Sequence, residues 1–161
     1  MIQRIQTVYL ALVAVLSILG LCLPLAQYFV GTAQVATFNN FTYTAAKGYD
    51  TFGAFSMAPL AFGVLLSIVI LLTLVSIMLF RYRMRQLRLI IFSTILLVGY
   101  AGFYAFLAWK FQLQLAEVNA EVQYHLCFAA VLPAISIILN CLAIHGIRKD
   151  EALVRSLDRL R

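Results

Sequence analysis

Residues 57–80 read MAPLAFGVLLSIVILLTLVSIMLF, and residues 81–88 follow as RYRMRQLR. The first 24 residues carry no charge; the next eight hold four arginines and no acid. At about 1.5 Å of rise per residue, a helix over 57–80 is long enough to cross a hydrocarbon core of about 30 Å with some tilt. Pro59 falls in its first turn, where a missing backbone N–H costs little. The arginine run then ends the apolar phase abruptly.

Three further uncharged blocks repeat this pattern, at about 5–25, 89–109 and 124–147. The third closes on Trp109-Lys110, an interfacial anchor pair. The chain of 161 residues is 64% hydrophobic and 11% charged, with mean hydropathy +0.97, whereas soluble domains carry about a quarter charged residues. A chain this short cannot hide so much apolar surface in one soluble core. The fold class expected is therefore an all-α membrane protein, a four-transmembrane-helix bundle forming one domain over 1–161.

The first block follows a short head with one base, which is also how a signal peptide begins. Its apolar run exceeds the usual signal length. Leu21 stands before Cys22 where a lipoprotein cleavage box needs a small residue, and Pro24 and Ala26 make a poor cleavage site. A retained helix is expected.

Orientation follows from the bases. One side collects Arg4, Arg81, Arg83, Arg85, Arg88, Arg148, Lys149, Arg155, Arg159 and Arg161; the other has only Lys47 and Lys110. The positive-inside rule places the first side in the cytosol, with both termini there. The net charge of +6 is therefore a topology signal, and no nucleic-acid partner is expected. Membrane lipids are: Arg81, Arg83, Arg85, Arg88, Arg148 and Lys149 are candidate contacts for anionic headgroups.

The outer loop 26–56 is rich in aromatic and β-branched residues, as strands are. Val35–Phe38 and Phe41–Thr44 flank Asn39-Asn40, and asparagine tolerates the positive φ of a two-residue turn. A small β-hairpin over the outer helix ends is expected, with an irregular loop as the alternative. Asn40-Phe41-Thr42 also fits the N-glycosylation pattern, which matters only in a secretory eukaryotic setting. The tail, 148–161, reads as an amphipathic cytosolic helix continuing the fourth span. Leu153, Leu157 and Leu160 share a face, and Glu151 precedes Arg155 at the favourable i,i+4 spacing. Such a segment lies along the inner leaflet or docks a partner.

Inside the four blocks there is no Asp, Glu, Lys or Arg, which argues against ion-coupled transport. Ser and Thr can bond back to their own helix, but Asn140 cannot satisfy its amide that way. It is a candidate interhelical polar contact, with Ser93-Thr94 or Ser76 as partners. Gly99, Ala101, Gly102, Ala105 and Ala108 on the third helix, and Gly63 and Ser67 on the second, allow close backbone approach within the bundle or to another subunit. His125 and His145 are twenty residues, about 30 Å, apart and cannot share a metal. Glu117 and Glu121 stand one turn apart on the second outer link, where solvated surface is the simplest role. Cys22, Cys127 and Cys141 lie in apolar blocks as small hydrophobes; a Cys22–Cys127 disulfide is conceivable but less favoured than free thiols. No nucleophile–base pair, carboxylate cluster or metal set is visible, so no catalytic or metal residue is assigned, no cofactor is expected, and the chain is not read as an enzyme.

The opening Met-Ile-Gln-Arg-Ile-Gln-Thr-Val-Tyr-Leu and the closing Ile-Arg-Lys-Asp-Glu-Ala-Leu-Val-Arg-Ser-Leu-Asp-Arg-Leu-Arg resemble a bacterial membrane family found in Bacteroidota, domain of unknown function 4293. The resemblance covers the whole chain and implies an inner-membrane protein of four helices with a periplasmic outer loop. It implies no activity, cofactor or site residue. A likeness to claudin-type proteins rests only on the long first outer loop, which lacks a cysteine pair. The leading functional expectation is a non-enzymatic accessory or scaffolding subunit, whose partner is another membrane protein or a second copy of itself. A small oligomeric transporter or channel is the alternative, and a lipid-binding or lipid-modifying protein the next.

Overall fold

The computed structural model describes residues 2–46, 58–79, 82–118 and 122–158. It contains α1 (Ile2–Cys22), β1 (Ala26–Val30), β2 (Ala33–Phe38), β3 (Tyr43–Ala45), α2 (Ala58–Met78), α3 (Arg83–Val118), β4 (Val122–Leu126), a 3-10 turn (Phe128–Ala130) and α4 (Leu132–Asp158). Each helix packs on its sequence neighbour, and α1 closes the ring against α4. All four helices are long and apolar enough to cross a membrane, over Ile5–Cys22, Pro59–Met78, Arg83–Lys110 and Phe128–Ala152.

Their outward faces are almost purely apolar. Ile5, Val8, Leu12 and Val15 on α1, and Leu60, Val64, Ile68, Leu71 and Leu74 on α2, recur at helical spacing and are exposed. Phe92, Ile95 and Val98 do the same on α3, and Ile135, Ile138 and Leu142 on α4. A water-facing helix would carry charge along that stripe. Here the apolar side faces out, and polar side chains are drawn inward.

Several boundaries differ from those expected. The arginine segment from Arg83 onward is the first turn of α3, not a turn between helices, because arginine is a strong helix former. Helix α3 also runs eight residues past Lys110 to Val118, giving a length of about 54 Å. The expected fourth span began near Tyr124, but Val122–Leu126 is a strand and α4 begins at Leu132. As expected, the tail prolongs α4, reaching Asp158.

The connection between α1 and α2 forms a sheet that includes the expected hairpin: β2 and β3 pair antiparallel about Asn39-Asn40, through a four-residue connection in place of the expected two-residue turn. A second, tighter turn is Gly31-Thr32, joining Val30 to Ala33, with Gly31 at φ 61°. Glycine at the first central position of a type II′ hairpin fits that dihedral. Strand β3 pairs with β2 across residues 39–42, closed by Asn39 N–H donating to the Thr42 carbonyl at 2.9 Å. The strand from the second connection, β4, pairs antiparallel with β1 from Ala26↔Leu126 to Val30↔Val122. The sheet order is β3-β2-β1-β4. A register shift in the β1–β2 pairing at Tyr28/Phe29 leaves Val35 without a direct partner, so consecutive residues Val35 and Ala36 are both buried.

One sheet face sits on the ends of the helices. Leu25, Ala26, Tyr28, Val35, Ala36 and Phe38 merge with Phe62, Leu66, Val69, Leu97, Tyr100, Tyr104, Leu107 and Ala129 in one apolar cluster. Phe62 is its centre, edge-on to Phe38 at 5.7 Å and to Tyr100 at 5.3 Å, and stacked on Phe103 at 4.9 Å. A second cluster lies toward the opposite end: Leu10, Leu87, Ile90, Ala143 and Ile147. We call these the sheet end and the arginine end.

Candidate functional site

Two polar constructions stand out against this apolar frame. The first fastens the sheet to the helices. Asn40 is fully buried. Its amide nitrogen donates to the Gly20 carbonyl of α1 at 2.6 Å, and its amide oxygen accepts from the Tyr100 hydroxyl of α3 at 2.7 Å. Its backbone carbonyl accepts from Gly63 N–H of α2 at 2.9 Å. One residue thus ties three helices. Gly63 is required: a β-carbon there would collide with the Phe41 ring beside Asn40. Tyr104 makes a further tie, donating to the Leu25 carbonyl at 3.2 Å and meeting the Tyr124 hydroxyl of β4 at 2.9 Å. Burial pushes the Tyr28 hydroxyl above the ordinary phenol range, with Tyr124 and Tyr43 adding to the shift. Burial raises Tyr124 and the Cys127 thiol as well. The sheet interface is thus held by neutral groups.

The second construction is a polar layer at mid-depth. Helices α1 and α4 pack in fixed register: Gly20 lies against Leu132, and Gln6 lies against Gly146. The 14-residue step is the same on both helices, so Ser17, three residues in from Gly20, stands level with Ile135-Ser136. On α3, Ser93 lies between Ile90 of the lower cluster and Leu97 of the upper. On α2, Thr73 follows Val69 of the upper cluster, while Ser76 lies further along, beside Ile77, which packs on the lower cluster. On α4, Asn140 precedes Ala143 of the lower cluster. Ser17, Thr73, Ser76, Ser93, Ser136 and Asn140 are all at most 3% exposed. Every helix contributes through Ser17, Thr73, Ser93, Ser136 and Asn140, which lie between the two apolar clusters, and Ser76 follows beside the lower one.

Thr73 is satisfied by the Val69 carbonyl at 2.8 Å, the usual back-bond of a helical threonine. The others are not. Ser17, Ser76, Ser93 and Ser136 Oγ, both amide atoms of Asn140 and Nε2 of Gln6 have no hydrogen-bond partner among the described residues. Each such atom costs about 1–3 kcal/mol when buried unpaired, and hydrocarbon offers no water in exchange. Asn140 lies buried inside the bundle, but neither of its amide atoms makes the expected interhelical bond to Ser76, Ser93 or Thr94. Thr94 donates to its own helix, at the Ile90 carbonyl.

The basic residues are dispersed. Arg83 forms an ion pair with Asp150 at 2.9 Å, tying α3 to α4 at the arginine end. Arg85 lies over the Tyr82 ring at 4.7 Å. Arg88, Arg148 and Lys149 are exposed, while Arg81 lies outside the described residues, as do Lys47, Glu121, Arg159 and Arg161. Gly99 and Gly102 of α3 face open space, so these two glycines do not pack the bundle internally, whereas Ala108 lies against the sheet-end cluster. Buried Asn40 is no glycosylation acceptor. Cys22, Cys127 and Cys141 are free thiols. Among the described residues no group of three His, Cys, Asp or Glu stands together to hold a metal.

Asn40 lies in the β2–β3 connection, as its sequence context implies, but its buried bonds to the helices, and the roles of Tyr100 and Tyr104, are not among the features expected from sequence. A tyrosine pair one turn apart in an uncharged helix was the available signal, since a buried phenol needs a partner.

The class of protein so defined is a four-helix bundle of membrane-crossing length, capped at one end by a small antiparallel sheet. The family model described as Domain of unknown function (DUF4293) matches residues 2–160, and the chain belongs to that family. No curated protein matches it.

Proposed function

We propose that the protein is a non-enzymatic accessory or scaffolding subunit of a complex in the bacterial inner membrane, with both termini cytosolic. The observation that carries this is the sheet, assembled from both connections and fastened to three helices through Asn40. A loop held that firmly is a presentation surface rather than a linker. Its edge strands β3 and β4 are each bonded on one side, the arrangement that accepts an added strand from a partner. The open face of α3 at Gly99 and Gly102 offers close approach for a second membrane helix. The distribution of bases supports the orientation, and the exposure of Arg85, Arg88, Arg148 and Lys149 supports contact with anionic headgroups. Gentle extraction from native membranes, followed by mass spectrometry of what co-purifies, tests the assignment. A stoichiometric partner or a stable self-assembly is expected; a strictly monomeric particle overturns it.

A second reading, a small oligomeric conduit, is favoured by one observation, the polar layer. Flux across proteoliposomes separates it from the first.

A further inference from the structure

We propose that the polar layer binds internal water, held between Ser17, Ser93, Ser136 and Asn140 and reached from the arginine end past Ser76. The inference does not depend on the scaffolding role.

The grounds are geometric. Seven buried polar atoms lack partners, and they come from six residues on all four helices. All six residues are more than nine-tenths buried, so neither bulk solvent nor headgroups serve them. Ser93 and Ser136 could have bonded back to their own helices, as Thr94, Thr73 and Ser67 do, and they do not. Hydroxyls and a primary amide supply both donors and acceptors but no charge, which suits water better than an ion. Buried water characteristically makes about three hydrogen bonds to such groups.

The route follows from the asymmetry of the two clusters. Toward the sheet end lies the larger aromatic cluster, roofed by the sheet and locked by Asn40. Toward the arginine end the cluster is smaller, and buried polar side chains accompany it: Ser76, Gln86 and Gln6, the last packed on Gly146. A series of amide and hydroxyl groups thus leads from Gln6 to the layer with atoms left unpaired, whereas the buried polar groups described in the aromatic cluster, Asn40, Tyr100 and Tyr104, are already bonded to one another, to Tyr124 or to backbone.

The test uses the full chain with Cys22, Cys127 and Cys141 replaced by alanine, reconstituted in oriented lipid vesicles. Ser93→Cys and Ser136→Cys are probed with a small, membrane-impermeant methanethiosulfonate, which reacts with hydrated thiolates. Ile95→Cys and Ile138→Cys, both 61% exposed on the apolar outer faces, serve as lipid-facing controls. Modification of the layer cysteines at least tenfold faster than the controls, from the arginine-end side, is expected. Rates no faster than the controls, or labelling only from the sheet-end side, overturn the proposal. Ser93→Ala and Ser136→Ala give an independent readout should a cysteine variant fold poorly. Removing a hydroxyl that anchors water lowers Tm, whereas removing a dry, unpaired hydroxyl leaves Tm unchanged or raises it. A lowered Tm supports the hydrated layer, and either other result overturns it.

Discussion

The Tyr100 hydroxyl donates a 2.7 Å hydrogen bond to Asn40 across 60 residues of sequence, joining the middle of α3 to the loop between β2 and β3. The same amide holds the Gly20 carbonyl near the end of α1. Both contacts are buried, so their loss would strand polar atoms in an apolar setting. Asn40→Ala is expected to lower stability by about 2–6 kcal/mol, since two buried groups lose partners at about 1–3 kcal/mol each. Tyr100→Phe removes one bond and should cost less, about 1–2 kcal/mol. Thermal unfolding in detergent reads both. The double variant should cost less than the sum, because the residues share one network; strict additivity would count against the coupling.

Gly63 accepts no side chain. Its β-carbon would fall on the Phe41 ring, and its N–H is engaged with the Asn40 carbonyl. Gly63→Ala should destabilise by about 1–3 kcal/mol through overpacking, despite the better helix propensity of alanine. Phe41→Leu in the same chain should recover part of that loss. If Gly63→Ala melts no earlier than the native protein, the close approach of the loop to α2 is wrong.

The four spans were legible because each is a run of apolar residues bounded by charge, a signal that survives without tertiary information. The sheet was half legible. Aromatic and β-branched residues mark strands, and Asn39-Asn40 mark the connection between β2 and β3, but the tighter β1–β2 turn at Gly31-Thr32 is not among the expected features. Asn40 is both a residue of the β2–β3 connection and a buried hub, and the second role depends on Gly20, Gly63 and Tyr100 packing around it, which the local sequence does not reveal. Strand β4 was hidden because Val122–Leu126 is apolar enough to read as the start of a span, and its partner β1 lies about a hundred residues earlier. The polar layer was partly visible: Asn140 and the serines were noted one by one. Their common depth depends on the register of helices that sequence alone does not align.

The Arg83–Asp150 pair is about one-third exposed on the arginine side and 17% on the aspartate side. Partial solvation limits its worth to about 0.2–1 kcal/mol. Asp150→Asn should therefore lower Tm slightly, and the difference should shrink as salt rises. A double-mutant cycle with Arg83→Gln isolates the pair; a coupling indistinguishable from zero at low salt would show that other contacts join α3 to α4 at this end.

Gly31 and Gly99 make opposite forecasts for the same substitution. Gly31 sits at φ 61° in the β1–β2 turn, where a β-carbon is strained by about 1–2 kcal/mol, so Gly31→Ala should destabilise by about that amount. Gly99 and Gly102 lie within α3 and face open space. Alanine there improves helix propensity by about 0.8–1 kcal/mol per site, so Gly99→Ala and Gly102→Ala should leave the isolated protein as stable or more so. The larger Gly99→Leu and Gly102→Leu separate folding from assembly. If a second membrane helix packs closely on this face, leucine should abolish co-purification of that partner while Tm in detergent holds. If α3 presents only lipid there, both Tm and the co-purifying set stay unchanged, and the partner surface must be sought at the sheet. The glycines thus test the scaffolding role at a position where the fold itself tolerates the change.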